Sequence, residues 1–133
     1  MDGFDSWFSG LNAGINVGLV ARDLQSGHII GVTNLSHFPE GVSNGYLGFY
    51  GMVKYKRCGL MTEAVRLTVS YAFAELGLHR LEANIQPENA NSIALVERAG
   101  FRKEGFSPHY LKIDGIWRDH ERWAVLSDEP QQL

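Results

Sequence analysis

A strand-like run, Tyr46–Val53 (YLGFYGMV), leads through a short polar loop carrying Gly59 into an amphipathic helix, and a second strand-like run follows, Arg80–Gln86 (RLEANIQ). Met61, Val65, Val69, Ala72, Phe73 and Leu76 share one face of that helix, and Gly77 supplies its stop. Two strands joined by one helical crossover lie parallel, and the crossover is right-handed. This unit narrows the fold class to a mixed α/β sheet. Gly48 and Gly51 in the first strand weaken regular pairing there and suit a bulge or a close approach of another backbone.

The loop itself, Lys56–Ala64 (KRCGLMTEA), brings several backbone N–H groups together at the positive end of a helix. Such a junction suits a phosphate or pyrophosphate, with Lys54, Lys56 and Arg57 adding positive charge. Alone, it says only that the ligand carries phosphate.

The flanks complete the sheet. Val17–Arg22 and His28–Leu35 read as a hairpin around the turn Asp23–Gly27 (DLQSG). After Pro87, a second helix over about 91–99 buries Ile93 and Val96, and Gly100 with Phe101 predicts a Schellman close. Strands over Glu104–Lys112 and Trp117–Leu126 form a closing hairpin about the Asp114–Gly115 turn, with Trp117 and Trp123 as packing residues. Asp2–Leu11 places Phe4, Trp7, Phe8 and Leu11 at helical spacing, which predicts a short helix.

At 133 residues the chain fits one domain, residues 1–133. A hydrophobic content of 44% with 20% charged residues excludes a disordered or fibrous chain. The net charge of −3 argues against direct nucleic-acid binding. The single cysteine, Cys58, rules out an internal disulfide, and the five histidines lack metal-ligand spacing, so no metal is expected. No apolar run suits a membrane span or a signal peptide, and a cytoplasmic protein is expected.

Three blocks in order carry a family resemblance: GLMTEAVRLTVSYAF (59–73), LGLHRLEANIQPENANSIALVERAGF (76–101), and EGF (104–106) with YLKIDGIWRDHERWAVL (110–126). Together they resemble the GNAT superfamily of acetyl-CoA-dependent N-acetyltransferases, most closely the ribosomal-protein N-acetyltransferases of the RimJ/RimL type. The resemblance implies a GNAT-like fold and direct transfer of an acetyl group from acetyl-CoA to an amine, either a protein N-terminal α-amine or a small amine. It implies no metal. Lys56, Gly59 and Met61 fall on the three defined positions of the family's cofactor pattern, with Arg57 where relatives usually carry glycine.

By the same resemblance, main chain at Met52, Val53 and Lys54 pairs with pantetheine. The N–H groups of Arg57, Cys58, Gly59, Leu60, Met61 and Thr62 hold the pyrophosphate, and Asn84, Asn89 and Ser92 complete the cofactor site. Glu82 is the candidate base, or else a solvated strand glutamate or a partner of Arg80. Ser92 is the candidate proton donor to the leaving sulfur; Asn89 and Ser92 equally suit helix capping. Tyr110, Asp119 and His120 border the acceptor pocket in this scheme, or are structural.

Relatives place a strand and two helices before the first hairpin, so the chain reads as N-terminally shortened. That predicts an exposed apolar edge at Val17–Val20, open to a homo-oligomer or another partner. Three readings follow: an active transferase, a CoA-binding module without transfer, and a partner-dependent fragment.

Overall fold

The computed structural model describes residues 2–9, 16–37, 43–51 and 59–129. The strands are β1 (Asp2–Ser9), β2 (Asn16–Asp23), β3 (Ile29–His37), β4 (Asn44–Gly51), β5 (Arg80–Ile85), β6 (Arg102–Ile113) and β7 (Ile116–Leu126). The helices are α1 (Leu60–Ala74), between β4 and β5, and α2 (Ala90–Arg98), between β5 and β6. One sheet contains all seven strands in the order β1-β2-β3-β4-β5-β7-β6. Among the described residues only β4 and β5 pair in parallel, joined by α1; the other ladders are antiparallel.

The core lies on one face of this sheet. Val17, Leu19, Leu35, Leu47, Leu81, Ala83, Trp123 and Val125 pack there against Val65, Val69 and Ala72 of α1 and against Leu95 and Val96 of α2. Alternation in β5 follows directly: Leu81, Ala83 and Ile85 are buried, whereas Arg80, Glu82 and Asn84 are half-buried on the opposite face. Within the core, Thr33 of β3 and Thr68 of α1 meet through their hydroxyls at 2.7 Å, and the Thr68 hydroxyl donates to the Ala64 carbonyl at 2.9 Å.

Local codes set the turns. Asp114 and Gly115 both have positive φ (51° and 79°) in the two-residue turn that pairs Ile113 with Ile116. At the end of α2, Gly100 takes φ 98°, and the Phe101 N–H reaches back to the Val96 carbonyl at 2.9 Å, the expected Schellman bond. Phe101 is buried beside it.

Three expectations are corrected. The predicted helix at Asp2–Leu11 is instead strand β1, in register with β2 from Asp2↔Asp23 to Ser9↔Asn16. The free backbone groups of the β2 edge give this segment a full ladder, which outweighs the helical spacing of four apolar residues. Consequently the Val17–Val20 edge is paired rather than exposed, and Val17 and Leu19 are buried. Trp117, expected to pack, is more than half exposed near the β6–β7 turn.

Candidate active site

The β4–β5 ladder is short. It pairs Asn44↔Arg80, Gly45↔Leu81 and Tyr46↔Glu82 and then stops, although β4 continues to Gly51 and β5 to Ile85. The strands therefore part at the level of Tyr46 and Glu82, leaving facing strand edges beyond that point without a mutual ladder. An extended chain with amide groups is the natural occupant of such a gap.

Helix α1 follows the departing end of β4. Its N-cap is Gly59, with φ 81° and open space where a Cβ would lie, so the left-handed backbone is the reason for glycine here. No side chain caps this end. The first intrahelical bond runs from Glu63 N–H to the Gly59 carbonyl, so the N–H groups of Leu60, Met61 and Thr62 have no partner within the helix. They form the donor set that an anion requires.

Met61 explains how a long side chain fits this loop. It packs toward the core, and a Cβ on Gly31 or Gly51 would come within 2.8 Å of its Sδ or 3.0 Å of its Cγ respectively. Those glycines, on β3 and β4, make the notch that receives Met61. Leu60 packs against Ala21, Ile30 and Ala64, and Thr62 is buried with Arg98 donating to its hydroxyl at 3.4 Å. The side chains of this turn thus anchor the helix, and its main chain is what faces outward. Met52, Val53, Lys54, Lys56, Arg57 and Cys58 lie outside the described residues.

On β5, Glu82 is held by Arg80, whose Nε donates to Oε2 at 3.0 Å. The same guanidinium grips Glu104, and Arg102 joins Glu104 to Glu129. The Arg80 bond, with Arg102 helping, draws the Glu104 carboxyl down to about 2. Glu82 therefore has the Arg80 partner that was one alternative to a catalytic role, and its register with Tyr46 places it where the two strands part. At α2, the Asn89 side chain accepts the Ser92 N–H at 3.2 Å, so Asn89 acts as an N-cap. Asn84 shares the Glu82 face.

The closing hairpin contributes through a bulge. Pairing shifts between Ser107 and Leu111, and His109 takes φ 48° there. Asp119 holds this bulge by accepting the His109 N–H at 2.8 Å. The bulge carries Tyr110 over His120, with ring centroids 5.4 Å apart, and His120 is buried beneath it. Tyr46 pairs in register with Glu82; burial, then Tyr110 and the Glu82 charge, push the Tyr46 phenol up. Sequence reasoning missed Tyr46. Its signal is the parallel register Tyr46↔Glu82, which depends on pairing across 36 residues of chain.

Among the described residues no group of His, Cys, Asp or Glu side chains is arranged to hold a metal ion, and no helix is long and apolar enough to cross a membrane.

Residues 2–102 match the family model described as the acetyltransferase (GNAT) domain. The chain is 41% identical over 105 residues to a probable N-acetyltransferase, YjcK, of Bacillus subtilis, covering 78% of this chain and 58% of that protein. It is 41% identical over 102 residues to the ribosomal protein uS5-alanine N-acetyltransferase of Escherichia coli, covering 76% and 53%. The chain thus spans little more than half the length of these relatives. Among solved structures, the ribosomal-protein-S5-alanine acetyltransferase of Vibrio fischeri superposes with a TM-score of 0.78 at 30% identity, over 86% of this chain and 63% of that one. RimJ of Mycobacterium smegmatis, in complex with CoA-disulfide, gives 0.78 at 29% identity over 85% and 54%. A splayed parallel pair, an uncapped glycine-led helix behind it and these matches converge on one assignment: the chain belongs to the GNAT acetyltransferase domain family.

Proposed function

We propose that the chain is an acetyl-CoA-dependent N-acetyltransferase that acts on the N-terminal α-amine of a protein or on a small amine. The observation that carries this reading is the parting of β4 from β5 after Tyr46↔Glu82, directly ahead of the uncapped α1 N-terminus. The gap suits the extended, amide-bearing arm of CoA, and the free N–H groups of Leu60, Met61 and Thr62 suit its pyrophosphate. Gly59 completes that cradle, with Met52, Val53, Lys54, Lys56, Arg57 and Cys58 as its proposed neighbours. Asn84 and Asn89 would hold the arm.

The cofactor supplies an acetyl group as a thioester. The protein's own task is proton traffic and placement. Glu82, oriented by Arg80, takes the proton of the incoming ammonium directly or through water. Ser92 Oγ supplies the proton to the departing sulfur. Tyr46 and Tyr110 wall the approach to Glu82, with His120 supporting Tyr110 from below and Asp119 holding the bulge. The carbonyl oxygen is stabilised by a backbone N–H of the diverging strand.

The test is thiol release from acetyl-CoA in the presence of peptides with free N-termini, paired with mass analysis of the peptide. Glu82→Gln should lower turnover by about 100-fold, in the ordinary range for removing a general base, with acetyl-CoA affinity nearly unchanged. Unaltered turnover would remove Glu82 as the base; no transfer to any amine would remove the activity.

A further inference from the structure

The face of the sheet opposite the two helices carries two arginines, Arg118 and Arg122, as a stripe that the proposed chemistry does not use. They lie on either side of the buried His120 at alternate positions of β7, so their side chains share one face, and Arg122 pairs directly with Asn84 of β5. Trp123 and Val125, with the opposite parity, are buried against the helices, which fixes the stripe on the Glu82 face.

Neighbouring cations are neutralised. Arg80, Arg102 and Lys103 each meet a carboxylate. Arg118 and Arg122 do not: among the described residues neither guanidinium has an ion pair or a hydrogen-bond partner, although both are half-buried. Arg122 lies across Gly105 of β6, where any Cβ would collide with its guanidinium. The absence of a side chain at Gly105 thus gives Arg122 room to lie against the sheet. Glu82 and Glu104, the carboxylates closest in register, are engaged by Arg80 and Arg102. In a chain of net charge −3, two partly desolvated arginines on one strand face, without a carboxylate partner among the described residues, suit an outside anion.

The stripe is continuous with the proposed site. Glu82 pairs with Ala124, so Arg122 lies one same-face step further along β7 and Arg118 two steps beyond that. At ~3.3 Å per residue, Arg118 and Arg122 stand ~13 Å apart, the span of about four residues of extended chain. We propose that Arg118 and Arg122 recognise an acceptor polypeptide bearing acidic side chains four residues apart, the first at about the third residue from its N-terminal amine. The proposal rests on the transferase reading for the position of that amine, and it names the acceptor class. A polypeptide with lysines at those places, or a polyamine, meets like charge along the stripe and is rejected.

The experiment is fluorescence anisotropy with the full chain and C-terminally labelled peptides of eight residues with free N-termini. Positions 3 and 7 carry Glu, Gln or Lys. The Glu peptide should bind at least about tenfold tighter than the Lys peptide, with the gap shrinking as salt rises. Arg118→Gln/Arg122→Gln should erase the preference, and Arg118→Glu/Arg122→Glu should reverse it in favour of Lys, a gain that misfolding cannot produce. Equal binding of the three peptides, no binding of any, or a preference that survives the Gln variant would overturn the proposal. Displacement of the Glu peptide by an equal concentration of a short single-stranded RNA would also overturn it, because the stripe would then select polyanions at large. Mass analysis of the same peptides with acetyl-CoA reads the transferase separately: a charge preference without acetylation supports the stripe and sinks the activity.

Discussion

The buried threonine pair that seats α1 on the sheet makes a prediction whose sign is unusual. Thr33 and Thr68 are both fully buried, and their hydroxyl oxygens lie 2.7 Å apart. The Thr68 proton goes to the Ala64 carbonyl, so Thr33 is the donor within the pair. Thr68→Val deletes the acceptor and leaves the Thr33 hydroxyl buried without a partner, which costs about 1–3 kcal/mol. Thr33→Val removes the donor instead and leaves Thr68 bonded to Ala64, a loss of about 1 kcal/mol. The double valine variant keeps shape and removes both hydroxyls, so its cost should fall below that of Thr68→Val alone. Urea unfolding of the four proteins reads the cycle, with a coupling of about 1 kcal/mol or more expected for groups in direct contact. Additive costs would refute the reasoning, since they would show that each hydroxyl is satisfied independently.

Gly59→Ala meets no neighbouring atom and should lose only the left-handed backbone preference, about 1 kcal/mol, read as a fall of a few degrees in Tm. Asn89→Ala should cost about 1 kcal/mol through loss of the α2 N-cap, and Asn89→Asp should keep it, both measured by urea unfolding. The Arg80 and Arg102 bonds lower the Glu104 carboxyl from 4.5 to about 2, so its contribution is full above the ordinary value and fades as pH falls through about 2. Because the network lies near solvent, the change should stay under about 1 kcal/mol, and Glu104→Gln should remove it from an acid-unfolding series.

Where the code is local, the fold can be read from residues alone. Gly59, Gly100 and the Asp114–Gly115 pair each announce a backbone that only such residues adopt readily, and each stands at the expected boundary. The alternation of Arg80–Gln86 likewise places Leu81 and Ala83 in the core without reference to any other segment. Asp2–Ser9 is the opposite case. Its apolar spacing suits a helix, and what decides its form is the free edge of β2, which no local pattern announces.

The site divides the same way. The uncapped, glycine-led end of α1 is legible because loop and helix are adjacent in sequence. Tyr46 beside Glu82, Arg80 on Glu104, and Tyr110 over His120 each need a register or bulge formed by distant strands. Asp119 shows what register adds to residue type. Its place in the closing hairpin suggests either a substrate ligand or a structural residue, and only the register shows that one carboxylate oxygen accepts the His109 N–H of the bulge.

The central claim is that the gap between β4 and β5, backed by the uncapped end of α1, receives acetyl-CoA. Isothermal titration calorimetry of acetyl-CoA into the folded chain tests it most directly, with Gly59→Glu as the paired control. The account predicts saturable one-to-one binding to the native chain and none to Gly59→Glu, where bulk and negative charge face the pyrophosphate. Absence of heat with the folded native chain, or undiminished binding by a folded Gly59→Glu protein, would contradict it.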